Sequence, residues 1–318
     1  MASRIDTLTN EQIKKILLSA SGIQDKILNK YRLNILQQYK ASLKEIQSVI
    51  AKMYEKFGDV IPPNQIYQYN RLKTIELQIQ EEIRIADRRF KQLTRNAIKD
   101  IFENAYYRSG FAFESALGVK MGFSILSDKK IEAAILNPMD RITWINRATE
   151  HGRKLNQNIR EEITRGIIQG KSYPEVARQI KKKIDIASTR LVRVVQTETH
   201  RAHTMGSLEA FSRIEALAED SGFKVKKLWL ATLDGKTRDE HRELDGQIAD
   251  EDGLFHVAGF SAEAPGLFGV AELDINCRCE ILTEVEGYET KFRRDNENGK
   301  IIEWKNYQQW AEDKKVKI

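Results

Sequence analysis

The chain has 318 residues, 41% apolar and 31% charged, with two cysteines and a net charge of +6. That length supports a substantial core and two domains, and the composition excludes a disordered chain. No run of eighteen apolar residues occurs and MASRIDTLTNEQIKK lacks a secretory apolar core, so no membrane partner and a reducing compartment are expected.

The charge is uneven. Residues 234–289 hold 15 acidic and 4 basic residues, a net −11, leaving +17 on the remainder. The first two thirds therefore read as a surface for a polyanion or an acidic protein, or as solvated helix faces.

From Glu11 to Phe57 the apolar residues keep helical spacing. Ile16, Ile23 and Ile27 begin a stripe, and Tyr39, Leu43, Ile46, Ile50, Met53 and Phe57 continue it in steps of four and three, a heptad seam. Gly58 and Pro62-Pro63 end this helix. A second stripe runs through Leu72, Ile75, Ile79, Ile83, Ala86, Phe90, Leu93, Ala97 and Ile101. Two helices of about 40 residues joined by a proline turn predict an antiparallel hairpin about 60 Å long.

Residues 108–135, with Gly110, Gly118 and Gly122, read as an irregular connector. A helix is expected over Asp140–Ile168, ended by Gly170, and a short one over KSYPEVARQIKKK with Ser172 as N-cap and Pro174 in its first turn. A further helix is expected from Ser188, as its cap, to Gly222. After Gly222 the strand-like runs VKKLWLATLD, FHVAGF and CRCEILTEV predict a small sheet, and EWKNYQQWAEDKK a final helix.

The expected fold is thus mainly α. A long antiparallel helical hairpin (1–107) and a connector (108–139) precede a helical middle region (140–222). A small acidic α+β C-terminal domain (223–290) and a tail with a short helix (291–318) follow.

Phosphate-loop, dinucleotide-binding, zinc-protease and nucleophile-elbow signatures are all missing. Three clusters remain. QTETHRAH sets Glu198, His200, Arg201 and His203 in mid-helix, as an exposed polar face, a salt bridge or a metal pair. TLDGKTRDEHRELDG follows the strand bearing Trp229: Asp234-Gly235 makes a turn, Thr237 caps a short helix and Gly246 ends it. Arg238 and His241 share a face of that helix among carboxylates. INCRC holds Cys277 and Cys279. A disulfide across one residue is strained, leaving a metal clip with His241 as third ligand, a redox pair, or two buried apolar residues. One sulfur is expected to point into the core and the other towards the His241 loop.

The order TETHRA, LWLATLDGKTRDEHRELDG, APG, INCRC, with GIIQGKSYPEVARQI before it, resembles the phage Mu F-like family, which includes SPP1-type minor head, or head morphogenesis, proteins. The match covers about residues 140–285. The resemblance implies a structural protein and not an enzyme. It would be present in few copies in the phage head near the portal, assembled in the host cytoplasm. Its implied partners are the portal protein, other head or scaffold proteins and packaged double-stranded DNA.

Some family members carry cysteines where this chain has Arg238 and His241, and a histidine where it has Asp274, which look like zinc sites. With Arg238 and Asp274 in place, two ligands are missing. No cofactor is the expectation, with zinc as the alternative. The carried-over residues Glu198, Asp234, Arg238, His241, Gly246, Cys277 and Cys279 then serve to hold the small domain together. The competing reading is a metal-dependent hydrolase or toxin-like enzyme using Glu198, His241, Cys277 and Cys279.

Overall fold

The computed structural model describes residues 10–57, 69–117, 125–222, 224–285, 292–294 and 301–303. Four long helices dominate: α1 (Asn10–Phe57), α2 (Tyr69–Leu117), α4 (Trp144–Ile168) and α5 (Tyr173–Ser221), with the short α3 (Asp128–Leu136) before α4. No described helix is long and apolar enough to cross a membrane. The chain divides into two compact units, one of Asn29–Ala97 with Ile142–Gln196, the other of Met1–Leu28, Ile98–Arg141 and Thr197–Ile318.

In the first unit the heptad residues Tyr39, Leu43, Ile46, Ile50 and Met53 of α1 are buried, as are Ile79, Ile83, Ala86 and Phe90 of α2. Arg89 bonds Gln38 across the two helices at 2.8 Å. Trp144, at the start of α4, meets Phe90 edge-on, and Tyr54 packs on Tyr173 of α5. Thr143 caps α4 through Asn146 N–H. Ser172 and Glu175 form the capping box of α5: Ser172 N–H and hydroxyl both donate to the Glu175 carboxylate. A Cβ at Gly166 would lie 2.4 Å from a Val176 methyl, so a glycine lets α4 and α5 approach.

Four expectations about the helices up to Gly222 change. α2 continues to Leu117, ten residues into the expected connector, and α3 occupies more of it. α4 starts at Trp144 because Asp140 and Arg141 have positive φ. α5 is one helix, not two, since its polar stretch contains no breaker. Ser188 is not a cap: its hydroxyl donates to the Asp185 carbonyl within the helix. Gly170 and Gly222, with φ of 64° and 79°, do end their helices. The Gly58 cap, the Pro62-Pro63 turn and the tail helix beyond Glu303 lie outside the described residues.

In the second unit β1 (Val225–Leu230) pairs antiparallel with β4 (Glu280–Val285), with Trp229 opposite Ile281. FHVAGF is a hairpin, not one strand. β2 (Phe255–Val257) turns through Ala258 and Gly259, both at positive φ, into β3 (Phe260–Ala262). Two short helices, α6 (Asp239–Glu243) and α7 (Ala271–Asp274), lie between the strands, and β5 (Phe292–Arg294) pairs with β6 (Ile301–Glu303). The core of this sheet region is Trp229, Ala231, Leu233, Leu244, Phe255, Val257, Leu273, Cys277 and Cys279.

Candidate functional site

All three sequence clusters fall in the second unit. Arg201 organises the middle of α5. Its guanidinium donates to Glu198 Oε2 at 2.9 Å and to the carbonyls of Gly266 (3.0 Å), Asn137 (3.2 Å) and Pro138 (2.9 Å). The Arg201 and Glu198 side chains are 3% and 5% exposed. A planar fork of donors suits this task, because one cation satisfies several acceptors in fixed directions. Of the readings the sequence left open, the salt bridge is formed and the exposed face is not: Glu198, His200 and Arg201 are buried, covered by the segment after α3 and the APG loop. Gly266 sits at φ 76°, and a Cβ there would press on His200 and Arg201.

Beside it, Asp234 anchors the turn after β1. It accepts from Lys236 N–H and from both nitrogens of the Arg278 fork at 2.5 and 2.7 Å. The Arg278 hydrogen bond holds its carboxyl well below the usual carboxylate range. Thr237 bonds the Thr232 carbonyl, so the N-cap of α6 is Arg238 and not Thr237. The Arg238 guanidinium reaches the Glu272 and Ile275 carbonyls around α7. Gly246, at φ 80°, returns the chain so that its N–H meets the Trp229 carbonyl at 2.9 Å.

The third cluster is the tightest. His241 Nδ1 lies 3.2 Å from Cys279 Sγ and 3.7 Å from Cys277 Sγ, and all three residues are buried. Both sulfurs lie within reach of His241, correcting the expectation that they diverge: positions i and i+2 of an extended chain share a face. Asn276, at φ 59°, turns the chain into this segment. His241 Nε2 lies 3.0 Å from the Leu273 carbonyl, which can only accept. Nε2 is therefore the protonated nitrogen, and Nδ1 presents its lone pair to the sulfurs in the neutral ring. Burial raises the Cys277 thiol. Burial acts on Cys279 too, but hydrogen bonding with Cys277 and the polar contact with the His241 ring outweigh it and hold that thiol low.

These donors fit a zinc ion. Bonds of about 2.3 Å to sulfur and about 2.05 Å to nitrogen set a tetrahedral S···N edge near 3.5 Å, between the two separations found. Among the described residues, His241, Cys277 and Cys279 are the set whose ligand atoms lie within 4.8 Å of one another. Glu198, His200 and His203 do not join it. Asp274 is also committed elsewhere: its carboxylate accepts from Phe268 N–H at 3.0 Å and Gly269 N–H at 2.8 Å.

Trp229 closes the cluster from the core side, edge-on to His241 and Phe255. A cleft of about 790 Å³ in the same unit is lined by α5, α3 and the 249–254 loop, and by none of the three donors. The buried cluster therefore lacks this route to a large substrate.

Sequence reasoning missed Gly206. A Cβ there would stand 2.4 Å from the Phe102 carbonyl, so α2 and α5 touch backbone to backbone. Its signal was a lone glycine inside a strong helical pattern.

Residues 157–282 match the family described as Phage Mu protein F like protein. The minor head protein GP7 of Bacillus phage SPP1 is 29% identical over 306 residues, 91% of this chain and 97% of that protein. The NAD(+)--arginine ADP-ribosyltransferase EFV of Enterococcus faecalis (strain ATCC 700802 / V583) is 28% identical over 276 residues. That covers 87% of this chain, which spans about half (56%) of the transferase. No solved structure matches the chain significantly.

Proposed function

We propose that this chain, a member through residues 157–282 of the phage Mu protein F-like family, is a bacteriophage minor head protein. It is a structural component of the virion head that binds the portal and other head or scaffold proteins and supports packaging or delivery of DNA. The observation that carries this reading is the match to the SPP1 minor head protein along nearly the whole of both chains. The transferase similarity covers much the same part of this chain but little more than half of that enzyme, so the shared region is the one a head protein also has.

The motif residues support a structural role. Arg201, Arg238, Asp234 and Asp274 are each committed to main-chain groups or to ion pairs that join separate loops. Cys277, Cys279 and His241 hold the end of α7 and the start of β4 against α6, and would hold zinc as a further cross-link.

Co-expression with the portal protein of the same genome tests the reading: the chain co-purifies with portal and sediments with assembled heads. Failure of both, with folded protein, overturns it. Incubation with labelled NAD+ and an arginine acceptor tests the enzyme reading in parallel, and transfer of label would establish that instead.

A further inference from the structure

The cleft of about 790 Å³ in the second unit has the size of a binding pocket. Its floor is half-buried apolar surface from Met205 and Leu208 of α5, Val225 of β1, Leu254 and Leu267. Its rim is acidic: Glu209, Glu215, Asp250, Glu251, Asp252 and Glu263 face Lys130, Lys226 and Lys227, six negative charges against three positive. Lys130 is already paired with Glu209, and His256 with Asp250. Among the described residues no ion pair engages Glu215, Glu251, Asp252 or Glu263. Lys227 is turned inward, donating to the Gly253 carbonyl at 2.6 Å and the Glu263 carbonyl at 3.1 Å. Burial holds its ammonium below the ordinary lysine range, and Glu263, Glu215 and Asp250 act against that shift.

One wall of the cleft is an open strand edge. Ser261, Ala262 and Glu263, in and just after β3, line it. The Gln247 side chain takes both the N–H and the carbonyl of His256, at 3.1 and 3.5 Å, and so covers the outer edge of β2. His256 lies opposite Ser261, so the N–H and carbonyl of Ser261 point away from β2 in turn. Ser261 is exposed, and no described strand pairs with that side of β3.

We infer that this cleft docks an extended, lysine- or arginine-bearing segment of another protein, laid beside β3. Charge complementarity selects a cationic occupant and rejects phosphodiester or anionic lipid. The free main-chain donor and acceptor of Ser261 select a peptide over a simple cation. Side chains alternate along a strand, so one set reaches the carboxylate rim while the other lies on the apolar floor. The cleft chemistry stands by itself. The source of the segment, a head or scaffold protein, rests on the proposed function.

The test uses the full chain and a dye-labelled, end-blocked peptide of repeated Lys-Val-Lys-Thr, with anisotropy read at about 50 mM salt. The variant Glu215→Gln/Glu251→Gln/Glu263→Gln is compared with Glu219→Gln/Glu243→Gln/Glu272→Gln, which removes the same charge from exposed sites of the same unit outside the cleft. The parent should bind, the first variant about tenfold more weakly, and the second within about twofold of the parent. Glutamate in place of lysine should abolish peptide binding. Full N-methylation, which keeps every charge, should weaken it about fivefold, because no N–H then reaches the Ser261 carbonyl. Circular dichroism melting checks that both variants are folded. Equal losses in both variants, no binding by the parent, or indifference to N-methylation overturn the proposal. So does a parent dimer in sedimentation velocity that the first variant makes monomeric, since a second copy then fills the cleft. Calcium at about 1 mM that stabilises the parent but not the first variant, without peptide binding, overturns it as well. Co-sedimentation with assembled heads separates the two readings, and the first variant should be captured less than the parent. Peptide failure with parent capture intact overturns the cleft alone. Failure of parent capture with peptide binding intact overturns the head-protein reading alone. Unchanged capture of a first variant that has lost the peptide overturns a head protein as the source.

Discussion

Replacing Arg201 by methionine removes a buried cation while roughly keeping the side-chain length. Glu198 then loses its counter-charge, and the carbonyls of Gly266, Asn137 and Pro138 lose a donor. Breaking one side of a buried ion pair costs about 3–5 kcal/mol, and each stripped carbonyl about 1–3 if water cannot reach it. These costs overlap, since one local opening would relieve several of them. The expected loss is therefore about 4–6 kcal/mol. At about 2–4 °C per kcal/mol for a unit of this size, the melting temperature falls by roughly 10–20 °C. Equilibrium urea unfolding followed by tryptophan fluorescence measures it, with Trp229 reporting on the same unit. Arg201→Lys should recover less than half of the loss, because one ammonium cannot reproduce the fork. Glu198→Gln/Arg201→Met should be milder than Arg201→Met alone. A loss under about 1 kcal/mol for Arg201→Met would refute the clasp, because that is the scale of an ordinary surface change.

Ile46→Asp places a charge at a heptad position that is 1% exposed and should cost more than about 4 kcal/mol, read by circular dichroism melting of the full chain. Gly206→Ala forces α2 and α5 apart and should cost about 1–3 kcal/mol in the same assay; a neutral outcome refutes the backbone contact. Elemental analysis should find one zinc per chain, with chelator lowering the melting temperature of the parent but not of Cys277→Ser/Cys279→Ser; absence of metal after zinc loading refutes the three-donor clip. His200 is held neutral down to about pH 3, and His203, which keeps an accessible edge, to about pH 4, each by burial first. Their folded pKa values lie below the unfolded value near 6.5, so the unfolded chain takes up protons first as pH drops. Stability should then fall below pH 6.5 by at most about 1.4 kcal/mol per pH unit per histidine, and His200→Gln should flatten the profile measured by urea unfolding between pH 7 and 4.5.

Much of the helical fold was legible because packing there repeats. Tyr39, Leu43, Ile46, Ile50 and Met53 advertise a buried seam through spacing alone, and all are buried. The middle of α5 gave no such signal. TETHRAH looks like a solvated surface because its partners, Asn137, Pro138 and Gly266, lie more than sixty residues away. Local letters carry no trace of the loops that cover them. The same limit split α5 in two: Ser188 resembles a cap, yet mid-helix its hydroxyl is satisfied by the Asp185 carbonyl. The Cys-x-Cys and His241 grouping was legible, since short strand-forming runs return the chain on itself. Which nitrogen of His241 faces the sulfurs depended on the Leu273 carbonyl, which sequence could not supply.

Arg238 and Asp274 hold the loops of this site together without a metal ion. A cysteine or histidine at these positions would cross-link α6, α7 and β4 through an ion. Arg238 instead bonds the Glu272 and Ile275 carbonyls, and Asp274 bonds the N–H groups of Phe268 and Gly269. Arg238 thereby ties α6 to α7, and Asp274 ties α7 to the loop before it, through charge-assisted bonds stronger than neutral ones. The Asp274 carboxyl is raised by burial, so those two N–H bonds offset only part of its desolvation. The sulfurs, meanwhile, belong to the apolar core with Trp229 and Phe255. Packing alone therefore retains Cys277 and Cys279 in place, and a bound zinc would add stability to a region already closed by hydrogen bonds. A metal in this site would strengthen the small sheet region without being required to fold it, because Arg238 and Asp274 already tie its loops.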